Sequence, residues 1–143
     1  MLDLGEFRDL LREHVKKNSH SGITGIKHTE PDTPGIRGRR HGLQFNYSHS
    51  IDYEHLADVA RRLRFRIRRE DRPHGPTITL TEGTRHGTKP IRIVLDHYPM
   101  AARKEDQFHT FFSVEHTEPR VRRATARKVI RVFELLSKPR REW

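Results

Sequence analysis

Hydrophobic positions recur along this chain with two periods, and the switches between them outline its elements. Residues 3–17, DLGEFRDLLREHVKK, carry Leu4, Phe7, Leu10, Leu11 and Val15 at three- and four-residue steps, the stripe of an amphipathic helix. Acids lie early in it, and Lys16 and Lys17 late, which suits the helix dipole. The period then vanishes. Residues 18–42 hold five glycines and two prolines, so a long Gly/Pro-rich loop is expected there, held in place by neighbouring subunits. GLQFNYS alternates Leu43, Phe45 and Tyr47 with polar residues and reads as a strand. A short helix is expected over 52–62, with Ser50 or Asp52 as N-cap and Leu56, Val59 and Ala60 inward.

The segment RRLRFRIRRE, residues 61–70, resumes the alternation with an unusual partner. Leu63, Phe65 and Ile67 take every second position, and Arg62, Arg64, Arg66 and Arg68 fill the others, which predicts a strand with one cationic face. TITLTE, IRIVLDHY and FHTFFSV follow as strands, separated by the turn-rich EDRPHGP and GTRHGTKP. From Pro119 to Ser137 a final helix presents Val121, Ala124, Val129, Ile130, Phe133 and Leu136. The order α-β-α-β-β-β-β-α predicts a single α+β domain over residues 1–143. Its largely antiparallel sheet of about five strands would have the N- and C-terminal helices packed on one face. The other face would carry Gln44, Asn46, Arg64, Arg66, Thr77, Thr79, Arg92, Asp96, Tyr98, His109 and Glu115.

Charge sharpens this picture. Of 143 residues, 34% are charged and only 32% apolar, so the core is modest, and the net charge is +10. Residues 61–73 hold seven arginines against Glu70 and Asp71, and the basic segment 119–143 holds nine Lys and Arg against Glu134 and Glu142. The remainder has thirteen positive groups and fifteen negative ones, so the whole excess lies in one strand and the C-terminal helix and tail. That is the footprint of a polyanion partner. Guanidinium forks match phosphate oxygens in pairs, and alternate strand residues repeat about every 6.8 Å, near the phosphate spacing of an extended single strand. The expected nucleic-acid contacts are Arg62, Arg64, Arg66, Arg68 and Arg92 from the sheet. A stripe of Arg120, Arg123, Arg127 and Arg131 along the final helix would join them. One structural reading competes, in which outward charges protect an edge strand, although lysine is the usual residue for that purpose.

Candidate chemistry adds less. Without cysteine there is neither a disulfide framework nor a thiolate metal site. No apolar run approaches the roughly 20 residues that span a bilayer, and the first twenty residues do not read as a signal peptide. A cytoplasmic location is expected, or a virion, with no membrane partner. His49, Asp52 and His55 recur at three-residue steps, but no His-Glu-x-x-His spacing accompanies them, so no metal and no other cofactor is expected. A metal-independent ribonuclease needs an acid, a base and a cation, which His109, Glu115 and His97 beside Arg64 and Arg66 would supply. The leading expectation is instead a non-catalytic basic subunit binding a nucleic-acid backbone within a larger assembly. The alternatives are a structural or connector subunit of a virion or similar assembly, facing an acidic protein surface, and that ribonuclease.

Overall fold

Asp3 fixes the start of the first helix. Its carboxylate accepts from the Glu6 backbone N–H at 2.8 Å, and the Glu6 carboxylate accepts in return from the Asp3 N–H at 3.3 Å. This reciprocal box satisfies two donors that a helix start otherwise leaves without partners, and it holds the Asp3 carboxyl below its usual pKa. Helix α1 then runs over Leu4–Lys17 and buries Leu4, Phe7, Leu11 and His14. The computed structural model describes residues 1–29, 41–49, 51–73, 75–83, 91–99, 108–116 and 118–138, with the backbone alone at 96–99 and 108–111.

The fold is α+β. Its strands are β1 (Leu2–Asp3), β2 (Ile23–Thr29), β3 (His41–Tyr47), β4 (Phe65–Arg72), β5 (Gly75–Glu82), β6 (Arg92–Pro99), β7 (Phe108–His116) and β8 (Arg120–Val121). Helix α2 (Tyr53–Arg62) lies between β3 and β4, and α3 (Arg123–Leu136) closes the described chain. Six strands form one antiparallel sheet in the order β2-β3-β7-β6-β5-β4, while β1 and β8 pair separately, Leu2 opposite Val121.

The helices cover one face of that sheet. Leu43, Phe45, Tyr47, Ile78, Leu80, Ile93, Leu95, Phe112 and Val114 are buried on alternate positions of their strands. Phe45 stacks on Phe112 with ring centroids 5.6 Å apart, and Phe133 of α3 meets both edge-on, at 5.1 and 4.9 Å. Aromatic pairs favour these offset and T-shaped geometries, so the trio fastens α3 to the middle of the sheet. At the far edge Lys128 of α3 sits over the Phe65 ring and Arg69 over the Tyr53 ring of α2. Gly42 lets β3 and β7 approach closely, since a Cβ there would fall 1.9 Å from the Val114 carbonyl oxygen.

Three expectations need correction. The loop at 18–42 is not structureless throughout, because residues 23–29 form edge strand β2. A bulge with Gly25 at φ +64° interrupts its register and sets Ile23 and Ile26 three apart, which hides the alternation. Residues 30–40 lie outside the described residues. The sheet therefore has six strands rather than about five. The segment 61–70 is a strand only from Phe65 onward. Arg62 ends α2, the Leu63 N–H donates to the Val59 carbonyl at 3.0 Å, and Arg64 turns the chain at φ 61°. Arginines gather at that helix end because they suit its dipole, and their spacing mimics a strand. Finally, Val121 is buried through β8 rather than the helix, and Ala124 is exposed while Thr125 and Ala126 face inward. The Asp52 N-cap is as expected, accepting from the Glu54 N–H at 2.9 Å.

Two stability measurements check this packing. Phe133→Ala removes the ring that joins α3 to two strands and should cost about 3–5 kcal/mol in denaturant unfolding. A loss below about 1 kcal/mol would mean that α3 is fastened elsewhere. The second concerns His14, whose imidazole is held below its ordinary pKa of 6.5 chiefly by burial, with Glu134 pulling the other way. As pH falls the unfolded chain takes up that proton first. The contribution of His14 is therefore complete above 6.5 and is lost as pH falls from there through the lower value of the folded state. His14→Gln should flatten the melting-temperature profile between about pH 7 and 5, and an unchanged slope would rule this origin out.

Candidate nucleic-acid interface

The helix-free face is read most easily as rows across the sheet. One row runs Arg66, Thr81, Arg92, Glu115 and Gly42 along β4, β5, β6, β7 and β3. The next runs Arg68, Thr79, Val94, Ser113 and Gln44, and a third begins Glu70 and Thr77. Strand alternation alone puts these side chains on the face opposite the core. The face is polar but not uniformly open. Gln44, Ser113 and Glu115 are buried, whereas Arg66 and Arg68 are exposed.

Toward β4 the face is concave. A cavity of about 180 Å³ lies over β4 to β7, with Arg68, Arg72 and Arg92 on its walls beside Thr77, Thr79 and Thr81. Arg92 donates to the Glu115 carboxylate at 3.1 Å, and the two are direct cross-strand neighbours. Glu70 stands between two arginines. One of its oxygens lies 3.4 Å from Arg68 and the other 3.1 Å from Arg72. Among the described residues, the Nε atoms of Arg72 and Arg92 are buried without a hydrogen-bond partner. Among the described side chains, three guanidinium groups thus face two carboxylates, and donors outnumber acceptors.

The nine arginines expected to bind do not form one surface. Arg66, Arg68 and Arg92 belong to the bare face, while Arg62 and Arg64 lie at the α2–β4 junction, where the Arg64 carbonyl accepts from the Gly83 N–H at 3.1 Å. Arg120 stands opposite Asp3 in the β1–β8 ladder. Arg123 and Arg127 are exposed on α3, whose buried side packs on the other face of the sheet. Arg131 is paired with Glu134. Among the described residues, Arg64, Arg66, Arg123 and Arg127 have no acidic partner. Of these, Arg66 lies on the bare face, and Arg123 and Arg127 on α3, which packs on the other face.

The proposed ribonuclease residues are also scattered. Six positions of β7 separate His109 from Glu115, about 20 Å at the rise of a strand. His97 pairs with Thr110 at the His109 end of that ladder, and Glu115 is engaged by Arg92 at the other. The spaced His49, Asp52 and His55 do not converge on a common point. Asp52 caps α2, His49 donates to the His20 carbonyl, and His55 lies 3.3 Å from the Leu135 carbonyl. Among the described residues no set of three such groups is arranged to hold a metal ion, and no helix is long and apolar enough to cross a membrane.

Arg72, Glu70 and Thr81 were absent from the expected face. Arg72 and Glu70 continue the β4 alternation that starts at Arg66, so that signal was present in the sequence. The Arg92–Glu115 pair needed the β6–β7 register, which no local pattern carries. Compared with protein-family models, with curated proteins and with solved structures, the chain matches none.

The two carboxylates of this face should respond differently to removal. Glu115 is buried beside a half-buried Arg92, so Glu115→Ala strands a cation and should cost about 3 kcal/mol in chemical unfolding. Glu70 is 44% exposed in its side chain, and Glu70→Ala should stay within about 1 kcal/mol of the parent. Equal losses would show that the two pairs share one environment.

Proposed function

We propose that the protein is a non-catalytic basic subunit that binds a polyanion, foremost a nucleic-acid backbone, on the helix-free face of its sheet. The observation that carries this reading is the set Arg66, Arg68, Arg72 and Arg92 on that face, interleaved with Thr77, Thr79 and Thr81. Guanidinium and hydroxyl donors at alternate strand positions are suited to phosphate oxygens and carry no base code. Arg64, exposed at the α2–β4 junction and without an acidic partner among the described residues, stands just before this strand. Arg123 and Arg127 belong to a second surface and serve a different contact or none.

A second reading, a structural or connector subunit of a virion or similar assembly, draws support from the ends of the six-stranded ladder. Both β2 and β4 are terminal strands, where a strand of another chain can add. Size-exclusion chromatography with an ultraviolet absorbance ratio separates the two readings. Co-migrating nucleic acid supports the first, and a discrete large oligomer with a protein-like ratio supports the second.

The direct test is a salt titration with a single-stranded oligonucleotide. Affinity should fall steeply between about 50 and 200 mM salt and depend little on sequence. Arg64→Ala with Arg66→Ala should leave stability within about 1 kcal/mol and lower the log–log salt slope by about 0.7 for each phosphate no longer engaged. Binding indifferent to salt would remove the polyanion reading.

A further inference from the structure

We propose that the cavity over β4 to β7 is a phosphomonoester site whose anion position is filled, in the free protein, by the Glu70 carboxylate. The proposal rests on the polyanion reading and assigns a ligand to one part of that face. Glu70 is held between Arg68 and Arg72, one oxygen to each, at 3.4 and 3.1 Å. That is the bridging arrangement a phosphate would adopt between the same two forks. The bridge is weak, because its three side chains are 78%, 44% and 32% exposed, and such pairs are held loosely. A dianionic phosphate can displace it.

Charge and size both fit. Among the described side chains, with Glu70 swung out to solvent, Arg68, Arg72 and Arg92 face Glu115 alone, an excess of two positive charges for a dianion. Among the described residues the Nε donors of Arg72 and Arg92 are buried with no partner, so the hydrogen bonding of these two guanidinium groups is incomplete in the free protein. At about 180 Å³ the space is slightly larger than the ~150 Å³ that accommodates a benzene ring, so it takes a phosphate group but not a nucleobase with its sugar. The shared chemistry is the phosphomonoester, carried either by the 5′ end of a nucleic acid or by free phosphate.

The experiment compares one single-stranded oligonucleotide carrying a 5′-phosphate with its 5′-hydroxyl counterpart, in the full chain, with inorganic phosphate as competitor. The phosphorylated strand should bind about tenfold more tightly, and saturating inorganic phosphate should abolish that advantage, bringing the two strands to equal affinity. Arg72→Met, which leaves the Arg92–Glu115 pair intact, should erase the advantage. Glu70→Gln should enlarge it. Asp71→Asn is the control, since it removes the same charge from the next position of β4, where Asp71 pairs with Arg69 on the other face. Equal affinities of the two strands, an advantage that survives inorganic phosphate, or equal effects of Glu70→Gln and Asp71→Asn would each overturn the site. If the hydroxyl strand binds and the advantage is missing, the site fails and the polyanion reading stands. If the phosphorylated strand binds alone, the site stands and the polyanion reading fails.

Discussion

A six-stranded sheet has two faces, and this chain has apolar side chains for one of them. Leu43, Phe45, Ile78, Leu80, Ile93, Leu95 and Phe112 point to the helix side, where Phe133 interlocks with the central strands. With all three helices on that side, the polar groups of the other face must be satisfied within the sheet itself. Pairing across and along the strands does part of this. Arg92 meets Glu115 on the same rung, and Glu70 is shared by the arginines on either side of it along β4. The chemistry of the bare face is thus a consequence of where the apolar residues go. Burial on that face is also uneven: Glu115 is held in a fixed pair, and Glu70 is not.

The same layering divides the charge. In the linear sequence two arginine-rich segments look like parts of one footprint. In the fold they part only in places: Arg66 and Arg68 lie on the bare face, whereas Phe65 and Arg69 face the helices, where Lys128 of α3 sits over the Phe65 ring. Arg66 and Arg127 therefore act on different neighbours. Net charge still assists a diffusing polyanion from any direction, but local contacts on each surface decide where it settles.

Where one period held, the elements were legible. Helix α1, the Asp52 cap of α2 and the inward positions of β3, β5 and β6 follow directly from it. The sequence misleads where two causes give the same pattern. Arg62 and Arg64 sit at a helix end and a left-handed turn, yet their spacing continues that of a strand. At β2 the bulge around Gly25 has the opposite effect and conceals a strand. Of the candidate site, single residues such as Arg66, Arg92 and Thr79 could be assigned to a face. Their association with Glu70, Arg72 and Glu115 depends on register, and register is set by contacts distant in sequence.

The strand order bears on how the chain reaches this state. Strands β4 to β7 are a meander of sequence neighbours, so each pairing closes over a short connection. Strand β3 enters beside β7, far along the chain, and brings β2 with it, while Leu2 must find Val121. Loop closure over such separations costs entropy before any contact offsets it, which slows the step. Loop-closure entropy thus favours the meander, which carries the arginines of β4 and β6, over the pairings that involve the N-terminal third.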